Sequence, residues 1–118
     1  MDNGKINGVA LTPLKIINTP GGEVLHGMKE GDPGYSGFGE AYFSKIKLGE
    51  VKGWKRHKRM YLNIVVPVGS IKFFVYDDRD LDQTSGRTYS IILSTQNYFR
   101  LTIPPMVWLA FLGLGEQE

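Results

Sequence analysis

The shape of its apolar runs is what most constrains this chain. Each run is short, rich in β-branched and aromatic residues, and bounded by glycine, proline or other turn-forming residues. Runs of that kind suit strands. No segment carries a sustained 3.6-residue apolar period with caps, so no long helix is predicted. Fifteen glycines and six prolines spread along the sequence supply the turns. Many short strands between such turns point to an all-β sandwich or barrel. At 118 residues the chain reads as one domain, 1–118, with room for a single core.

Taken in order, residues 6–17 are a strand candidate broken at Pro13, because proline splits a strand or confines it to an edge. Thr19 to Gly22 is a turn, Val24 to His26 a brief strand, and Gly27 to Gly37 a Gly/Pro/Asp-rich loop long enough to be functional or mobile. Phe38 to Lys47 alternates, with Glu40, Tyr42 and Ser44 on one face and Ala41 and Phe43 on the other. Leu48 to Glu50 turns the chain into a basic strand, Val51 to Arg59. A predicted hairpin follows: Tyr61 to Val66, a turn at Pro67 to Ser70, then Ile71 to Arg79. Asp80 to Arg87 is a polar loop, Thr88 to Leu93 a strand, and Ser94 to Asn97 turn chemistry. Tyr98 to Ile103 alternates until Pro104 and Pro105 stop it, and Val107 to Leu112 closes the set before a short polar tail.

Composition removes several functions. With no cysteine there is no disulfide, zinc-thiolate site or thiol nucleophile. Two histidines, far apart in sequence, fall short of the three or so that metal-dependent sites of this kind need, so no metal is expected. The formal charge of +2 makes the basic run at 52–59 a local feature, and aromatics do not interleave with it as a stacking platform requires, so no nucleic-acid partner is expected. The apolar runs are too short to span a bilayer, and the N-terminus has no apolar signal-peptide region. The reading is a soluble, cytoplasmic protein.

If Val51 to Arg59 is extended, side chains two apart share a face. Val51, Gly53, Lys55, His57 and Arg59 then point one way, and Lys52, Trp54, Arg56 and Lys58 the other. That sets His57 about 6–7 Å from Lys55 on one face. A histidine inside a solvated basic run is the ordinary alternative.

From the central strands onward the sequence resembles the sugar-nucleotide cupins, namely the dTDP-4-dehydrorhamnose 3,5-epimerases and the dTDP-4-keto-6-deoxyglucose 3,4-ketoisomerases. Gly69 to Arg79 follows their Gly-x-(Ile/Val)-x5-Asp-x-Arg pattern, and Leu93 to Asn97 with Leu101 to Pro104 follows Leu-Ser-x-x-Asn and Leu-x-Ile-Pro. Phe38 to Ser44 and Gly49 to Gly53 stand where those proteins have the segment leading to their catalytic histidine. The ketoisomerase stretch Arg-Gly-x-His-Ala-His-Lys becomes Lys52-Gly-Trp-Lys-Arg-His-Lys58 here, so Lys55 replaces the first histidine and His57 falls on the second. The epimerase stretch Pro-x-Gly-x-x-His-Gly-Phe becomes Pro104-Pro-Met-Val-Trp-Leu-Ala-Phe111, without histidine. The Pro-x-x-x-Trp form is nearer the ketoisomerases. The general-acid tyrosine of the epimerases, and the aspartate that orients their histidine, lie beyond the matched segment.

The resemblance implies a cupin-type double-stranded β-helix (a jelly-roll barrel) and a homodimer. It also implies a metal-independent isomerase or epimerase acting on a dTDP-4-keto-6-deoxyhexose without a cofactor. The chemistry is proton removal beside a ketone, for which an imidazole is suited because it titrates near working pH. His57 is the candidate base, Lys55 the cation that holds the developing enolate oxygen, and Tyr42 a candidate proton donor. Arg79 or Arg59 is placed at the diphosphate, where a guanidinium fork fits. Glu40 lines the cavity and Trp108 stacks on sugar or base. For each there is an ordinary alternative: pairing of Arg79 with Asp77, Asp78 or Asp80, surface charge for Arg59, and packing for Tyr42 and Trp108. A non-catalytic cupin that binds a sugar nucleotide, or serves as an assembly module, is the rival reading of the whole.

Overall fold

The computed structural model describes residues 5–80 and 83–115. Leu81 and Asp82 of the predicted polar loop, and the last residues of the polar tail, lie outside the described residues. The described strands are β1 (Ala10–Pro13), β2 (Ile16–Thr19), β3 (Gly22–Leu25), β4 (Val51–Lys55), β5 (Leu62–Ile64), β6 (Ser70–Tyr76), β7 (Thr88–Leu93), β8 (Phe99–Ile103) and β9 (Trp108–Gly115). One antiparallel sheet has the order β1-β8-β5 and a second β4-β9-β6-β7, while β2 and β3 form a hairpin of their own. The architecture is the predicted all-β cupin type.

The core follows from period-two alternation. On β6, Phe73 and Val75 are buried while Lys72, Phe74 and Tyr76 face the other way. Their partners on β9, Phe111 and Leu109, share the inward face, and the Phe73 and Phe111 rings meet at 5.8 Å between centroids. Leu101 and Ile103 of β8 come from the facing sheet and complete the interior with Ile6, Val66, Leu93 and Val107. Val75 and Leu101 are wholly buried.

Three expectations are corrected. Residues 61–79 do not form a hairpin, because β5 pairs with β8 and β6 pairs with β7 and β9, in the other sheet. Pro67, which has no N–H to continue a ladder, lies where the chain crosses between sheets. The hairpin neighbour of β6 is β7, with Ile71 opposite Leu93 and Tyr76 opposite Thr88. Residues 38–47 alternate as predicted but form no strand within the chain; Phe38, Tyr42 and Phe43 are exposed, Phe43 completely. The basic strand ends at Lys55 instead of running to Arg59. The split near Pro13 and the turns at Thr19–Gly22 and Ser94–Asn97 are as expected.

The Gly27–Gly37 loop is tied down. Fully buried Arg100 donates from Nη1 to Gly27 O (2.8 Å) and from Nη2 to Pro33 O (2.7 Å), with Asp32 3.6 Å from Nη1. Asn63 Nδ2 donates to Gly34 O (3.0 Å), and the Tyr98 hydroxyl to His26 O (2.7 Å). A side chain at Gly34 would stand 2.6 Å from Thr102 Oγ1, and its φ of +87° also favours glycine.

A second clamp closes the end of β6. Asp77 is wholly buried and takes Arg79 Nε (2.9 Å) and Nη2 (2.9 Å) as a two-pronged pair, with the Thr84 hydroxyl donating to the same carboxylate. Arg79 Nη2 also donates to Asn7 O (2.7 Å), and Asn7 N–H to Thr84 Oγ1 (3.1 Å), so the N-terminal segment is fastened to the β6–β7 loop. The Arg79 fork holds the Asp77 carboxyl at about 2, below its ordinary 3.8, against the pull of burial and helped by Thr84. A depressed carboxylate contributes stability that is present above its unfolded value and is lost as pH falls through its folded value. Urea midpoints are therefore expected to hold above the unfolded value and to decline as pH drops from about 4 to about 2, with about 2 kcal/mol at stake. Asp77→Asn should cost about 2–3 kcal/mol at neutral pH and flatten that acid limb. A variant with an unchanged limb would show that another group sets it.

Candidate functional site

The site region is built by β4, the edge of the four-stranded sheet. Its pairing with β9 slips: Val51 is opposite Leu112 and Lys52 opposite Phe111, but Lys55 is opposite Leu109. Three steps on β4 therefore answer two on β9, which is a β-bulge. Gly53 makes it possible. Its φ is +128°, and a Cβ there would lie 2.6 Å from Ala110 Cα.

The bulge corrects the predicted alternation. Phe111 and Leu109 both face inward, so Lys52 and Lys55 share the inner side and Val51 lies opposite it. Val51 and Lys55 therefore do not share a face. Lys52 reaches back to donate to Lys45 O (2.7 Å), which fastens the 44–50 arm to β4. Lys55 is exposed. His57 is half-buried between exposed neighbours, and its carbonyl accepts Met106 N–H at 2.7 Å. His57 lies two residues beyond the end of β4, where the bond from Met106 holds it to the turn before β9. The common face predicted for Lys55 and His57 required a strand through Arg59, and that strand stops at Lys55.

The remaining candidates disperse. Arg79 turns its fork onto Asp77 and Asn7 O, so it is engaged within the chain. Arg59 is exposed. Glu40 and Tyr42 lie on the unpaired 38–47 segment, with Tyr42 69% exposed. Trp108 is on the outer face, where its indole N–H donates to Asp78 Oδ2 (3.0 Å). Among the described residues no three His, Cys, Asp or Glu side chains converge as a metal site would require.

Sequence reasoning missed a cluster on that outer face. Trp108 is the direct cross-strand partner of Tyr76, and Trp54 reaches both from the bulge, so that the three rings line a cavity of about 270 Å³. The Arg56 guanidinium lies 4.7 Å over the Trp108 ring, and Arg56 Nη1 is 3.6 Å from Asp78 Oδ1. Sequence alternation does put Trp54 and Arg56 on one side. The long-range pairing of β6 with β9, which adds Tyr76 and Trp108, has no local signal.

Fold and site geometry together define a small cupin-like β-sandwich whose basic edge strand leads to a half-buried histidine. A dTDP sugar isomerase from Desulfovibrio desulfuricans G20 matches at 42% identity over 95% of this chain and 72% of its own, with a TM-score of 0.90. The chain belongs to the dTDP-sugar isomerase and epimerase family. A probable low-salt glycan biosynthesis epimerase, Agl13, from Haloferax volcanii is 30% identical over 78 residues, 65% of this chain and 50% of that protein. The chain thus spans half the length of this curated relative. The rmlC epimerase of Mycobacterium tuberculosis shares the fold, with a TM-score of 0.75 at 17% identity, covering 98% of this chain and 62% of its own. No protein-family model matches the chain.

Gly53→Ala tests the bulge. Adding a Cβ against the backbone of Ala110 at a left-handed φ should lower stability by about 1–3 kcal/mol and shift the fluorescence of Trp54 as β4 re-registers. Unchanged denaturation and emission would show that β4 tolerates a regular register.

Proposed function

We propose that the protein is an isomerase or epimerase acting on a dTDP-4-keto-6-deoxyhexose in deoxysugar or polysaccharide biosynthesis, as a homodimer in the cytoplasm. The observation that carries this reading is the 42% identity, across nearly the whole chain, to a dTDP sugar isomerase. His57 takes the proton from the carbon beside the ketone, and Lys55, two residues before it, holds the oxygen on which the negative charge develops. Arg59 is the guanidinium left to meet the diphosphate, since Arg79 is engaged by Asp77. A proton returned to a different position or face completes either reaction.

Tyr42 and Glu40 enter this scheme only through a second copy. The segment that carries them exposes Phe38 (79%), Tyr42 (69%), Phe43 (100%) and Leu48 (74%). An extended, apolar, unpaired segment of that kind invites strand addition, and two-fold pairing hides both copies of it at once. Light scattering at micromolar concentration should give a dimer, and Phe43→Glu should give monomer without loss of fold. A wild-type protein that runs as a monomer would remove Tyr42 and Glu40 from the site.

A second reading, a binding module without chemistry, is favoured by the interior itself: Phe73, Val75, Leu101, Ile103, Val107 and Leu109 fill the space between the sheets. One experiment separates the two. Wild type in deuterated buffer should exchange a proton of dTDP-4-keto-6-deoxyglucose next to the ketone, followed by NMR, and His57→Asn should slow exchange by about 10²–10⁴ while melting as wild type does. Exchange that survives the substitution would exonerate His57. Absence of exchange together with a thermal shift by dTDP would install the binding module, and absence of both would end the sugar-nucleotide reading.

A further inference from the structure

The outer-face cluster takes no part in that chemistry. Trp54 and Arg56 stand on the Trp108 face, away from the inner side that Lys55 takes, and three large rings on neighbouring strands β4, β9 and β6 stand together on one surface. Trp54 is 49% exposed. A concave aromatic surface with a few polar groups at its rim is the usual form of a small-ligand site.

The rim says which ligand. Arg56 and Asp78 stand 3.6 Å apart and offset each other's charge, so the mouth favours neither an anion nor a cation. Asp78 Oδ2 is occupied by the Trp108 indole, whereas Asp78 Oδ1 is buried and makes no hydrogen bond among the described residues. A buried acceptor without a donor is costly and calls for one. Arg56, a long and partly exposed side chain, is the group that moves aside to admit it. The cavity, about 270 Å³, lies just under the roughly 300–1,000 Å³ of pockets for drug-sized ligands, which suits a single ring and not a whole sugar nucleotide.

A neutral pyranose meets each condition. Its C–H face packs on an indole, one hydroxyl donates to Asp78 Oδ1, and another accepts from Arg56. We propose that Trp54, Tyr76 and Trp108, with Arg56 and Asp78, form an accessory site for a neutral pyranose ring of a saccharide, separate from the sugar nucleotide. The site holds a sugar that is not nucleotide-activated, since a diphosphate finds no net positive charge there.

The test uses the full chain with methyl α-L-rhamnopyranoside and methyl β-D-glucopyranoside as probes. Binding is read from tryptophan fluorescence and from the two indole N–H signals in NMR. At least one glycoside should shift the Trp54 and Trp108 signals with millimolar affinity. Trp54→Ala should weaken it at least tenfold, and Asp78→Asn should weaken it while leaving the fold intact. Exchange of the 4-keto sugar nucleotide should proceed in Trp54→Ala as in wild type, so failure here and failure of the catalytic reading are told apart. No shift with either glycoside up to their solubility would overturn the proposal. So would a shift produced by thymidine and not by glycosides, which would make the cluster a nucleobase site. Conversion of a dimer to monomer by Trp54→Ala would make it a subunit interface and overturn the proposal as well.

Discussion

The interaction on which the rest depends is the burial of the Arg100 guanidinium. A cation with no exposure to water is costly unless its donors are met and its charge is answered. Two carbonyls from one loop, Gly27 and Pro33, meet two donor groups, and Asp32 of the same loop stands close enough to answer the charge. The loop and the cation thus require each other. Because the loop is held to β8, the chain leaves it at a fixed point, and the following arm is caught again by Lys52. The edge strand that leads to His57 is held in its own sheet by its ladder to β9.

Three arginines meet carboxylates within the described residues. Arg100, Arg79 and Arg56 each sit against a carboxylate, and only the first two are tightly packed within the fold. An apolar cluster fills the space between the sheets, while Asp77 is buried at the end of β6. Polar chemistry is pushed to the rim, where Lys55, His57 and Arg59 follow one another along the end of β4 and beyond it. This arrangement separates a core made for stability from a margin free to carry function.

Much of the fold was legible from local pattern. The β-branched and aromatic run Ile71–Tyr76 and the alternation over Tyr98–Ile103 announced strands, and Pro13 and the Thr19–Gly22 turn set breaks where they occur. Which strand lies beside which was not legible. The apolar runs on either side of Pro67 look like a hairpin because the pattern records strand character and not sheet membership. The strand character of 38–47 is equally real in sequence, but within one chain those residues have no ladder to join. At the site, the basic strand was readable as far as Lys55, whereas Val51 changed sides because of a glycine whose special backbone angle leaves no mark on periodicity. The partners of Trp108 come from pairing across some thirty residues, beyond the reach of any local rule.

The bulge at Gly53 acts as a parity switch. Upstream of it, odd positions such as Val51 look outward; downstream, odd positions such as Lys55 look inward. Neighbouring residues Trp54 and Lys55 thereby address opposite surfaces of one sheet, an aromatic hollow on one side and the inner side on the other. Removing a single residue between Lys52 and Lys55 would restore even spacing, two steps against two, with Lys52 still opposite Phe111 and Lys55 still opposite Leu109. In a sheet of this kind, counting is as much a part of the site as chemistry.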